Sequence, residues 1–121
     1  MSYYEHDDAI RTLLRRGRLL KIDDSGTQQK ADLGILSSER PKDIVRLQAH
    51  GFTSNPPNEA EGLTLAMGGR SDRLLFIGGE HKEHRPKDRP QGTATLYDDK
   101  GNEIFMRGSN GINMKAKKDH V

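Results

Sequence analysis

Short apolar segments alternate with clusters of turn-forming residues along most of this chain. Gly, Pro, Asn and Asp gather between runs of four or five residues that are rich in Leu, Ile, Val and Phe. This punctuation predicts β-strands joined by turns. The predicted strands are residues 19–22, 27–36, 43–48, 63–67 and 73–77, and then 93–97, 103–107 and 112–115. The first five predict a small barrel, and the oligonucleotide/oligosaccharide-binding (OB) barrel fits in size and strand count.

Residues 7–16 show a helical period instead. Ile10, Leu13 and Leu14 recur at a spacing that places them on one helix face, and Gly17 can end the helix. A helix with such a short apolar stripe is marginal alone, so we expect it to dock on another surface.

The C-terminal third is predicted to be a meander that lacks a core of its own. Alternate positions of its three strands carry apolar side chains: Leu96, Ile104, Met106, Ile112 and Met114. Three short strands cannot bury a face alone, but three copies wound about one axis can. We therefore expect an intertwined trimeric β-helix or prism with these five side chains in its core.

Composition shifts divide the chain into four predicted segments. A helical segment covers residues 1–17 and the barrel covers residues 18–79. Residues 80–92 are a polar linker, since their only apolar members are prolines. Residues 93–121 form the trimeric spike segment.

Composition also favours self-assembly. Only 31% of the 121 residues are hydrophobic, so the core is thin. Small chains with thin cores often need oligomerisation, disulfides or metals. Cysteine is absent, which excludes disulfides and thiolate zinc sites and leaves oligomerisation as the strong candidate.

Charge and hydropathy exclude other classes. The 20 Lys and Arg residues face 18 Asp and Glu residues in an interspersed pattern, which is typical of a soluble surface rather than of a nucleic-acid footprint. No apolar run reaches the ~18 residues of a membrane span. Residues 1–6 do not resemble a secretory signal, so we expect synthesis in the cytoplasm.

The turn motifs resemble those of the baseplate assembly protein V family of Mu-like phages. The matching motifs are Arg18-Leu19-Leu20, Gly51-Phe52-Thr53-Ser54, Gly68-Gly69-Arg70-Ser71-Asp72, and Gly78-Gly79-Glu80-His81 with Arg85-Pro86. The resemblance covers roughly residues 10 to 107 and is specific in these motifs. It implies an OB barrel followed by an intertwined trimeric β-helix in the central spike of a contractile tail, with no catalytic role and no cofactor.

The resemblance also implies partners. The trimer would lie beneath a ring of hub proteins, and its narrow end would pierce the host outer membrane when the sheath contracts. The expected location is the tail baseplate of a virion that is assembled in the host cytoplasm, and nucleic acid is not an expected partner. The basic cluster of the predicted helix is the candidate hub-docking surface: Arg11, Leu14, Arg15 and Arg16. A solvated helix face is the alternative.

One departure from the family concerns the apex of the spike. Longer members carry a His-x-His motif that binds iron on the axis, whereas this chain has only His120 near its end. Three copies of His120 would supply three ligands on a trimer axis, but a polar tail is the preferred interpretation. The short C-terminal segment leaves open a separate tip protein or a shortened prophage copy.

Other candidate sites have plainer interpretations. His81 and His84 are followed closely by Pro86 and have no evident third ligand, so a solvated linker is preferred over a metal site. Gly68-Gly69 and Gly78-Gly79 lack the Gly-Lys-Ser/Thr sequence of a phosphate loop, so turns or bulges are expected.

Three functions stay open at this point. A homotrimeric spike subunit is preferred. A monomeric OB module that binds single-stranded nucleic acid or oligosaccharide would bind oligonucleotides in a salt-dependent way, but aromatic residues are only 5% of the chain. A hydrolase fused to a spike has no room here, and the carboxylate pairs Asp7–Asp8 and Asp23–Asp24 adjoin predicted caps or turns.

Overall fold

The computed structural model of the chain describes residues 14–36, 38–69 and 73–118, and the regular secondary structure in those ranges is almost entirely β-strand. The strands are β1 (Leu14–Asp23), β2 (Lys30–Gly34), β3 (Ile44–Arg46), β4 (Glu61–Ala66), β5 (Leu74–Glu80), β6 (Ala94–Tyr97), β7 (Glu103–Met106) and β8 (Ile112–Lys115). Two 3-10 turns lie at Met67–Gly69 and Gly108–Asn110. The chain divides into one compact unit that ends at His81 and a second that begins at Lys82. The predicted barrel of five strands and meander of three strands are confirmed.

The first unit is a closed barrel with the strand order β1-β2-β3-β5-β4. Its neighbours are antiparallel except β3 and β5, which run parallel. Strand β1 is long enough to serve two neighbours: its first half pairs with β4 and its second half pairs with β2. The change of partner falls at Arg18, and a register shift between Leu19 and Lys21 follows within the pairing with β2. Such an irregularity bends a strand, and bending is how a small sheet closes on itself.

The barrel core is small and is filled largely by one aromatic ring. Phe76, Leu19 and Leu33 have no exposed surface. A methyl group at Gly62 would lie 2.6 Å from Cζ of Phe76, so only glycine leaves room for the ring at this position. The packing agrees with the thin core that the composition predicts.

The structure corrects the C-terminal end of the predicted helix. Residues 14 to 16 were expected to close a helix, but they begin β1, where Leu14 lies opposite Leu65 and Arg16 lies opposite Leu63. The pairing of β1 with β4 satisfies their backbone groups and overrides the local helical pattern. Residues 1–13, which include Ile10, Arg11 and Leu13, lie outside the described part of the chain.

The second unit is an antiparallel meander with the order β6-β7-β8. Its first hairpin is closed by Asp98, whose carboxylate accepts hydrogen bonds from the Asn102 side chain (2.6 Å) and the Lys100 and Asn102 amides (2.9 and 3.0 Å). These hydrogen bonds hold the pKa of Asp98 below its usual value, and the bond from the Asn102 side chain has the largest effect. In the described ranges, no helix has the length and apolar character that a membrane crossing requires.

Candidate functional site

The meander carries one exposed apolar face. Cross-strand pairing aligns Leu96, Ile104 and Met114 in one row, and alternation along each strand places a second row on the same face. That second row consists of Ala94, Met106 and Ile112. The five larger side chains are between 38% and 63% exposed, Ile104 the least and Ile112 the most. The structure therefore brings all five predicted core residues together, and we call this set the apolar meander face.

The opposite face of the meander is covered in part by its own chain. The Arg89 guanidinium lies 4.1 Å from the centroid of the Phe105 ring, and its Nη2 donates to Oε2 of Glu103 at 2.8 Å. The Glu103 side chain is only 14% exposed. A cation–π contact of this kind contributes about 0.5–1 kcal/mol. Arg89 belongs to the segment predicted as a polar linker, yet it packs on the meander, on the face opposite the apolar one.

The outside of the barrel also bears apolar side chains. Leu14, Leu65 and Leu75 form one cross-strand row, and Leu63 and Ile77 lie side by side in the next row. Leu14 is 58% exposed, and Leu63 and Ile77 are each 47% exposed. We call these five residues the outer barrel patch. Outward positions of a solvated barrel are usually polar, so this patch is unusual.

The structure separates the residues that were predicted to dock on a hub. Leu14 belongs to the outer barrel patch, and Arg16 borders it with a side chain that is 87% exposed. Arg15 alternates with them and lies in the row of buried Thr64, where it pairs with Glu39 at 2.7 Å and is 15% exposed. Arg11 lies outside the described residues.

A buried arginine that sequence reasoning missed joins two of the turn motifs. Arg46 is 8% exposed and donates four hydrogen bonds, to the carbonyl oxygen of Gly78 (2.7 Å), Oε1 of Gln29 (2.7 Å), and the carbonyl oxygen (2.9 Å) and hydroxyl (3.0 Å) of Ser54. Burial lowers the pKa of Arg46, and nearby Asp24 opposes that shift. The loop that holds Ser54 is thereby fixed to the bulged strand that holds Gly78.

Glycine is required where these two motifs meet. Gly79 has φ of 131°, and a methyl group there would lie 2.7 Å from Cγ of Pro56 and 3.0 Å from the Arg46 guanidinium. The Ser54 amide in turn donates to Oε1 of Gln48 at 2.7 Å. The two motifs are thus joined through Arg46, which binds polar groups of both. One sequence signal could have indicated the role of Arg46: it is the lone arginine in a short apolar strand.

Gly68 and Gly78 occupy a turn and a bulge, as expected. Gly68 has φ of 62° and forms a turn, and Gly78 lies at a register shift between β4 and β5. Within the described ranges, which include His81 and His84, no three His, Cys, Asp or Glu side chains are grouped so as to hold a metal. His120 lies outside the described residues.

A closed five-stranded barrel followed by a three-stranded meander with an exposed apolar face defines a small, mainly β protein. Residues 16–83 match the family model described as Bacteriophage Mu Gp45, N-terminal. The chain belongs to this family, which confirms the resemblance seen in the turn motifs.

Two curated relatives extend the match beyond the barrel. The chain is 30% identical over 97 residues to the baseplate puncturing device gp45 of Escherichia phage Mu, covering 80% of this chain and 49% of that protein. It is 24% identical over 109 residues to the Mu-like prophage FluMu protein gp45 of Haemophilus influenzae, covering 90% of this chain and 59% of that protein. The chain therefore spans about half the length of the curated relatives it matches.

Proposed function

We propose that this chain is a subunit of the central spike of a contractile phage-tail baseplate, and that three copies associate through the apolar meander face. The name of the phage Mu relative, a baseplate puncturing device, supports the first part. The exposed row of Leu96, Ile104 and Met114 and its neighbouring row carry the second part.

The apolar meander face is large enough to drive association. Complete burial of a large apolar side chain stabilises by about 1.5–3 kcal/mol, and these side chains are about half exposed. Five of them therefore contribute roughly 5 kcal/mol per chain on burial. Three chains supply several times that amount, which exceeds the lower estimates of the cost of association.

The open backbone edges of the meander support pairing between copies. The Asp98 amide donates to the Asn102 carbonyl oxygen, and hydrogen-bonded and non-bonded pairs alternate from there along an antiparallel ladder. By that alternation, residues at every second position direct their N–H and C=O groups away from β7. On β6 they are Thr95 and Tyr97, and on β8, where Arg107 donates to Gly111, they are Ile112 and Met114. Pairing of these groups between copies would give a stiff shaft with few exposed edges.

The barrel is proposed to attach the subunit to the tail hub. Five strands closed into one barrel are consistent with the OB type. We propose that residues 1–17 form the N-terminal segment through which the barrel docks on the tail hub, and that residues 80–92 connect the barrel to the spike. Further proposed partners are a tip protein and the host outer membrane at contraction, and the proposed location is the virion baseplate.

The native mass of the purified protein tests the trimer. Light scattering after gel filtration should give three times 13.6 kDa. Ile104→Asp places a charge in the centre of the apolar meander face and should give monomers. Asn113→Asp adds the same charge to the opposite face and should leave the trimer intact. A wild-type monomer, or an Ile104→Asp trimer, contradicts the proposal.

A further inference from the structure

We propose that the outer barrel patch is a second self-assembly surface, on which the barrels of neighbouring copies pack against each other around the threefold axis. The inference rests on the trimer proposed above, but it concerns different residues and a different unit of the chain.

The pattern of β5 and its neighbours indicates that this patch is covered in the assembled protein. The sequence Leu74-Leu75-Phe76-Ile77 is apolar without interruption, with Phe76 inside the barrel and Leu75 and Ile77 outside. Continuous apolar runs are typical of strands that are buried on both faces. In the isolated chain, Leu63 and Ile77 remain 47% exposed.

The charges beside the patch favour a second copy as the occupant. Arg16 lies in the same row as Leu63 and approaches Glu61 at 3.3 Å, with 87% of the Arg16 side chain and 45% of the Glu61 side chain exposed. Next to them, Arg18 pairs with Glu59 at 3.0 Å. Exposed pairs within one chain contribute little, because water screens them. Because positive and negative side chains lie next to each other, an arginine of one copy can pair with a carboxylate of the next copy. The surface is therefore complementary in charge to itself.

The chain connection keeps neighbouring barrels within reach of each other. Glu80 ends β5, and Arg89 is fixed on the meander by Phe105 and Glu103. The chain between Glu80 and Arg89 spans at most about 30 Å even when fully extended. Three barrels tethered so closely to one trimeric core reach an effective concentration in the millimolar range. A contact that is weak between separate barrels would then be formed most of the time.

The absence of cysteine allows a clean cross-linking test. Leu63→Cys places a thiol in the patch, and Lys42→Cys places one at an exposed position on the loop between β2 and β3 as a matched control. A short bis-maleimide added to the full-length protein should convert about two thirds of the Leu63→Cys chains to covalent dimers, since three thiols around one axis leave one unpaired. The Lys42→Cys chains should give several-fold less. Ile77→Cys, from the same row, serves if Leu63→Cys does not fold.

The same samples distinguish failure of this inference from failure of the proposed function. Light scattering reports the mass of each variant before the reagent is added. A trimer in which Leu63→Cys and Ile77→Cys cross-link no better than Lys42→Cys overturns the contact between barrels and leaves the spike subunit standing. A monomer overturns both.

Discussion

Removal of the Arg46 charge tests whether the two turn motifs are held together by this one side chain. Arg46→Met keeps most of the apolar stem and deletes the donors to Gly78, Gln29 and Ser54. The barrel strands would keep their own hydrogen bonds. The expected loss is therefore concentrated in the loop that contains Ser54.

The size of the effect follows from which acceptors are left without a donor. The Ser54 carbonyl oxygen keeps a hydrogen bond from Nε2 of Gln29 at 2.9 Å. The Gly78 carbonyl oxygen and Oε1 of Gln29 each lose the Arg46 bond, at about 1–1.5 kcal/mol apiece. Relief from burying a charge offsets part of this cost. We expect a net loss of about 2 kcal/mol, which lowers the melting temperature of a domain of this size by about 10 °C.

Urea unfolding and amide hydrogen exchange, both at one fixed protein concentration, measure the effect. Arg46→Met should lower the free energy of unfolding and speed exchange at the Ser54 amide, which is bonded to Gln48. Arg40→Met is the control, since Arg40 is exposed and donates to the Leu36 and Glu39 carbonyl oxygens. The reasoning is refuted if the two variants lose equal stability, or if exchange at Ser54 is unchanged.

Three further predictions concern single positions. Thr64→Val should raise the free energy of unfolding by about 1 kcal/mol in a thermal melt, because the Thr64 hydroxyl is buried without a hydrogen-bond partner among the described residues; an unchanged melt contradicts this. Gly62→Ala should destabilise the barrel by more than about 3 kcal/mol in urea, because the new methyl group would lie 2.6 Å from the Phe76 ring; a loss below about 1 kcal/mol would show that the ring moves aside. The Asp98 carboxyl should titrate below 3.8 by NMR, and Asn102→Ala should raise its pKa. Because the folded-state pKa is lowered, the stabilisation by Asp98 is present above the unfolded value and is lost as pH falls through the folded value; a midpoint at or above 3.8 contradicts this.

Strand positions were predictable because turn residues bracket each apolar run. Asp98 and Gly101 illustrate the reason: a side chain that caps its own turn and a glycine with φ of 96° both act locally. The apolar meander face was predictable for a related reason. A period of two along short strands fixes which side chains share a face, whatever the rest of the molecule does.

The features that sequence reasoning missed depend on distant partners. Leu14 fits a helical stripe equally well, and only its pairing with Leu65 makes it part of a strand. Arg46 looks like an exposed strand residue until the loop around Ser54 closes over it. Arg89 sits in a polar, proline-containing segment, and nothing local shows that its guanidinium stacks on Phe105.

The two units use their polar residues in different ways, and this difference favours the apolar meander face as the contact of the trimer that we propose. In the barrel, Arg46, Ser54 and Gln29 form hydrogen bonds with one another. The polar groups of the turn motif that contains Ser54 therefore stabilise the fold. In the meander, Arg89 and Glu103 pair with each other on one face, and the exposed apolar side chains lie on the other face. A trimer core on the face that carries Phe105 and Glu103 would require breaking the Arg89 contacts. In the trimer that we propose, the face that the meander turns toward the other copies is therefore set by contacts within each chain.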